Sequence, residues 1–87
     1  MSKKLVIGAA GQLGIELVLA LQSQHGVDSI HIADIRVPEN EQLLKSTFLH
    51  LDATDEGAMH KVLEEGQYEE VYHLAAMLSA TGEKRPL

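Results

Sequence analysis

Glycines at 8, 11 and 14 fall in the stretch LVIGAAGQLGIEL, residues 5–17, where an apolar run gives way to a helical pattern. Residues without side chains at three-residue intervals between a strand and a helix suit the chemistry of holding a pyrophosphate. Gly8 would let the chain turn sharply. Gly11 would let backbone amides approach the phosphates, and Gly14 would let helix and strand pack closely. The helix start adds unpaired N–H groups, those of Gln12 and Leu13 among them, and a partial positive charge. Asp34 lies 20 residues after Gly14, at the end of a second strand-like run. A carboxylate at that distance accepts hydrogen bonds from an adenosine ribose. It also repels a 2′-phosphate and so favours NAD over NADP. Arg36 acts in the opposite sense, because an arginine pairs with such a phosphate. Ile35 and Arg36 complete this group of candidate cofactor contacts. The spacing is G-x-x-G-x-x-G, and glycines also occupy strand-to-helix turns for purely structural reasons. Asp34 therefore carries much of the weight.

Those residues need elements to position them. KKLVIG (3–8) is a short apolar run and reads as a buried strand. Residues 12–25 follow as a helix, with Leu13, Leu17, Ala20, Leu21 and Gln24 at helical spacing and Gly26 as its stop. Ile15, Val18 and Leu19 make other faces apolar, so this helix is covered on more than one side. DSIHIADI (28–35) alternates as a second strand, with Ile30, Ile32 and Ala33 on the core side. Residues 36–47 are polar, contain Pro38, and leave room for one or two helical turns at 40–45. TFLHLD (47–52) reads as a third strand, and 54–65 as a helix with Thr54 as N-cap and Gly66 as its C-terminal glycine. EEVYHLAAM (69–77) is the fourth strand. Alternation of this kind predicts an α/β fold with parallel strands and right-handed crossovers. It is the N-terminal half of a Rossmann-type doubly wound sheet, in the order 3-2-1-4. A dinucleotide would lie across the carboxyl ends of strands 1, 2 and 4.

The 87 residues make one small domain, which buries only roughly 60–65% of its unfolded surface. The formal charge of −6 has no basic cluster to offset it and argues against a nucleic-acid partner. No run approaches the ~18 apolar residues of a membrane span, and no signal peptide is evident. The absence of cysteine suits a reducing compartment, so a cytoplasmic location is expected. The five histidines show no H-x-x-x-H spacing, and no metal is expected. Glu64, Glu65, Glu69 and Glu70 read as a solvated face. One sheet face would be thinly covered, which predicts self-association, as in a homo-oligomer.

The motifs together resemble the extended short-chain dehydrogenase/reductases of the NAD-dependent epimerase/dehydratase type. LDATD (51–55) is similar to that family's third-strand motif, and VYHLAA (71–76) to its fourth-strand motif. The resemblance implies that Asp52 and Ala53 contact adenine and that Leu74, Ala75 and Ala76 line the cofactor cleft. IGAAGQLGIEL, ADIR and YHLAAMLSATGEK are similar more narrowly to short-chain L-threonine 3-dehydrogenases. This likeness implies NAD as cofactor and L-threonine as substrate. The reaction would be hydride transfer to NAD, giving 2-amino-3-oxobutanoate. Ser79 and Thr81 would lie on the substrate side. A nucleotide-sugar epimerase or dehydratase, or a dinucleotide-binding fragment without catalysis, shares the same first half. These families use a Tyr-x-x-x-Lys pair for proton transfer, and neither Tyr68 nor Tyr72 has a lysine four residues on. The chain therefore reads as a catalytically incomplete fragment covering the first part of such an enzyme.

Overall fold

A computed structural model describes residues 3–74. The elements run β1 (Lys4–Ile7), α1 (Gln12–His25), β2 (Ile30–Asp34), β3 (Thr47–His50), α2 (Glu56–Gly66) and β4 (Glu70–His73). The strands pair in parallel in the order β3-β2-β1-β4. This is the architecture expected from the alternating sequence pattern. Leu5, Val6 and Ile7 are no more than 1% exposed, because β1 has a strand on each side and a layer on each face. The connection through α1 moves the chain one way along the sheet, and the connection through α2 moves it back past β1. Right-handed crossovers in opposite directions put the two helices on opposite faces. Val6, Ile30 and Ile32 accordingly pack with Val18, Leu21 and Leu43 on the α1 face. Leu5, Ile7 and Ala33 pack with Leu51, Met59 and Val62 on the α2 face. Val71 on the outer strand β4 is exposed.

Several local expectations are corrected. The buried face of α1 is Gly14, Val18, Leu21 and Gln22, whereas Leu13, Ala20 and Gln24 face outward. The close approach at Gly14 fixes the helix rotation. Residues 27–29 form a 3-10 turn, so the second strand begins at Ile30. The third strand ends at His50, and β4 ends at His73. The link between β2 and β3 holds only a 3-10 turn at Leu43–Lys45. It is clasped to α1 by two part-buried bonds: Gln22 Nε2 donates to the Gln42 backbone carbonyl at 3.1 Å, and Gln42 Nε2 donates to Gln22 Oε1 at 3.1 Å. Ser46 Oγ accepts from Gln22 at 2.8 Å and donates to the Val27 carbonyl at 2.8 Å.

The N-cap of α2 is Asp55, whose carboxylate accepts from the Ala58 N–H at 3.1 Å. Gly66 is the last helical residue, and Gln67 takes the left-handed cap conformation with φ 51°. A side chain at position 66 would collide with the Tyr68 ring. Glu69 and Glu70 are not simply solvated, since they sit 3.0 and 3.9 Å from the Lys4 ammonium.

Tyr68 folds back over the sheet, with its hydroxyl 2.8 Å from His31 Nδ1. Lys3 Nζ lies 5.4 Å from the Tyr68 ring centre. Burial first, and Lys3 second, hold the His31 imidazole below its usual value. The folded state therefore favours neutral His31. Its contribution to stability is present above about pH 6.5 and is lost as pH falls through the lower folded value. Urea midpoints should decline as the pH is lowered from about 7 to 5, and His31→Gln should flatten that decline. An identical slope in the variant would remove His31 as its source.

Candidate functional site

The site forms at the carboxyl ends of β1 and β2. Gly8 continues the ladder, donating its N–H to the Ala33 carbonyl at 2.8 Å. It then turns the chain with φ 91°, a conformation that side chains rarely adopt. α1 begins four residues later. Its first helical bond runs from the Ile15 N–H to the Gly11 carbonyl at 2.9 Å, so the N–H groups of Gln12 and Leu13 precede the helical ladder. No side chain caps this helix start, and its first turn holds no acid. A Cβ on Gly14 would lie 2.5 Å from the Gly8 carbonyl oxygen and 2.7 Å from Ala9 Cα. A Cβ on Gly11 would meet only the Gly8 oxygen, at 3.9 Å. Gly14 thus serves packing, while Gly11 leaves its side of the turn open.

Asp34 is turned toward the bend and is only 9% exposed. One carboxylate oxygen accepts from the Ala10 N–H at 2.9 Å, and the other from the Arg36 N–H at 3.0 Å. Ile35 and Arg36 follow it at the surface. On one side of Asp34 is a cavity of about 210 Å³, with Ile7, Ile35, Leu51 and Ala53 as apolar walls and Asp52 and Thr54 at its edge. A second cavity of about 490 Å³ is bounded by Ala10, Ile15 and the loop Arg36–Asn40. The apolar walls suit a flat heterocycle, and the uncapped helix start suits an anion. Residues 8–14, Asp34 and Asp52 therefore fit a dinucleotide.

Asp52 Oδ1 accepts twice from Thr54, from the hydroxyl at 2.6 Å and from the N–H at 2.9 Å. The hydroxyl bond, followed by the N–H bond, holds the Asp52 carboxyl below the usual range. Sequence reasoning treated Thr54 as a helix cap and missed its place at the cavity edge. The signal was the Asp-x-Thr pattern, which closes a local turn. Ile7, Leu51 and the loop residues Val37 and Pro38 were missed too. Leu74 buries its side chain with Val6, Ala9 and Val18 in the core. Ala75, Ala76, Ser79 and Thr81 lie outside the described residues.

The sequence pattern of the NAD dependent epimerase/dehydratase family matches residues 4–85. This chain belongs to that family. The family is NAD-dependent, so the dinucleotide that suits the turn is NAD. Among epimerase/dehydratase relatives, an uncharacterized protein of Staphylococcus saprophyticus is 42% identical over the whole chain. A counterpart in Staphylococcus aureus is 38% identical. The chain spans 28% and 27% of their lengths, about a quarter. Among solved structures, the holo form of a GalE-like L-threonine dehydrogenase from Cupriavidus necator superimposes with a TM-score of 0.75 at 41% identity. That match covers 97% of this chain and 27% of the other. L-threonine dehydrogenase from Clostridium difficile gives a TM-score of 0.74 at 30% identity, covering 84% of this chain and 23% of its own. No helix among the described residues of this epimerase/dehydratase family member is long and apolar enough to cross a membrane.

Proposed function

We propose that this chain is the NAD-binding segment of a cytoplasmic dehydrogenase acting on L-threonine. The observation that carries the reading is Asp34, held at the glycine bend by the Ala10 N–H at 2.9 Å. In this reading the amides of Gln12 and Leu13 receive the pyrophosphate, and Asp34 receives the adenosine ribose. Asp52 and Ala53 edge the adenine. When bound, NAD supplies a hydride acceptor for the oxidation of threonine to 2-amino-3-oxobutanoate. Ser79 and Thr81 are proposed for the substrate side on the strength of the LSATGEK likeness alone.

Proton transfer falls to residues elsewhere in the enzyme. Tyr68 is tied to His31, and burial pushes its phenol up. Tyr72 donates to Glu70 at 2.8 Å, and that bond pushes its phenol up. A phenol held in its protonated form is a poor base near neutral pH. The chain thus reads as the first part of a longer catalyst. The exposed Val71 on β4 favours a covering surface, from further chain or a second copy.

Calorimetric titration with NAD tests the binding half of this reading, with binding expected and its absence overturning it. NADH formation from L-threonine by the enzyme that carries this segment tests the substrate. The names of the staphylococcal relatives favour a second reading, an epimerase or dehydratase. Turnover of a nucleotide sugar without threonine oxidation would decide for it.

A further inference from the structure

Asp52 presents two carboxylate oxygens, and they are in different situations. Oδ1 takes both donors of Thr54, the hydroxyl at 2.6 Å and the N–H at 2.9 Å. Oδ2 has no hydrogen-bond partner among the described residues. The carboxylate sits at the edge of the apolar cavity of about 210 Å³ that also touches Asp34. An ionised carboxylate only accepts hydrogen bonds, so the group of an occupant that comes against Oδ2 must be an N–H or O–H donor. If Asp34 takes the ribose, the ring between Ile35 and Ala53 is the base attached to that ribose. Adenine brings an exocyclic amine. Hypoxanthine, of the same shape, brings a carbonyl oxygen at that position, which the carboxylate would repel.

We infer that Thr54 is a positioning residue that makes the cavity selective for an amino-bearing purine: by occupying Oδ1 it commits Oδ2 of Asp52 to the base. This rests on the dinucleotide reading and adds to it a residue that acts through Asp52. Thr54 restrains the rotation of the Asp52 carboxylate by holding Oδ1 with two donors. Without the hydroxyl, the N–H of residue 54 alone restrains a surface carboxylate.

The test compares NAD with nicotinamide hypoxanthine dinucleotide by calorimetric titration of the protein. The parent should bind NAD about tenfold more tightly, the worth of one hydrogen bond to a charged group. Thr54→Val should lose most of that preference, and Thr54→Ser should keep it. Thr54 is exposed and, among the described residues, its side chain bonds only to Asp52, so circular dichroism should show both variants folded. Asp52→Asn gives a second measure that does not depend on Thr54→Val. If the donors of Thr54 hold the amide oxygen, the amide NH₂ takes the place of Oδ2, and the preference should invert toward the hypoxanthine dinucleotide. Equal binding of both dinucleotides by the parent, an unchanged preference in Thr54→Val, or no inversion in Asp52→Asn would each overturn the role of Thr54 while leaving NAD binding intact. Failure of the parent to bind either dinucleotide would overturn the dinucleotide reading, and this inference with it.

Discussion

Asp34→Ala should weaken NAD binding by roughly 100-fold, the scale of two hydrogen bonds to an ionised carboxylate. Asp34 does two things, and the alanine variant removes both. It offers a carboxylate beside the bend, and it holds the bend through the N–H groups of Ala10 and Arg36, at 2.9 and 3.0 Å. Losing the second role leaves two N–H groups without an acceptor, at a cost of about 1–3 kcal/mol in stability. A domain of this size has little margin for such a loss. Asp34→Asn separates the two roles. Its amide oxygen still accepts at the bend, but the side chain no longer offers a charged acceptor to both ribose hydroxyls. It also stops repelling a 2′-phosphate while Arg36 remains. Asp34→Asn should therefore melt closer to the parent, bind NAD about tenfold less tightly, and narrow the gap between NAD and NADP. Titrations with both dinucleotides, run beside thermal melts, read all three effects. Parental NAD affinity in Asp34→Ala would show that the ribose does not rest there.

The features legible in the sequence are those that a single residue type enforces. Only glycine suits φ 91° at position 8 and the contact distances at position 14. The alternation of apolar runs with helical patterns carries the strand order with it, because crossover handedness leaves few alternatives. Where several residues satisfy the same local rule, the sequence does not choose between them. Thr54 and Asp55 are both good caps, and the competing bond from Thr54 to Asp52 decides for Asp55. α1 carries apolar residues on every side, so its spacing does not name the buried face. Gly66 reads as a stop, yet its lack of a side chain makes room for the Tyr68 ring, and Gln67 takes the strained cap instead. The clasp of Gln22, Gln42 and Ser46 joins polar residues 20 or more positions apart, which no local pattern reveals.

Gly14→Ala and Gly11→Ala add the same methyl group three residues apart, and they should fail in different assays. At position 14 the new Cβ meets backbone on every side: the Gly8 oxygen at 2.5 Å, Ala9 Cα at 2.7 Å and the Ala9 oxygen at 2.8 Å. None of these atoms can rotate away, so α1 must lift from the end of β1. The expected cost is about 3 kcal/mol, the upper part of the range for overpacking. Against total stability on the order of 4–13 kcal/mol for a chain of this length, that should lower the melting temperature by more than about 10 °C. At position 11 the backbone is extended, with φ −78° and ψ 170°, and the methyl group meets nothing closer than 3.9 Å. Gly11→Ala should melt within a few degrees of the parent. It should nonetheless bind NAD at least about tenfold less tightly, because the methyl group stands where a pyrophosphate would approach the uncapped helix start. Thermal melts and NAD titrations of the two variants therefore dissociate packing from binding. A Gly14→Ala protein that melts with the parent would show that the helix is not seated this closely. A Gly11→Ala protein with parental affinity would remove the pyrophosphate from this turn, and the ribose assigned to Asp34 would then have no phosphate beside it.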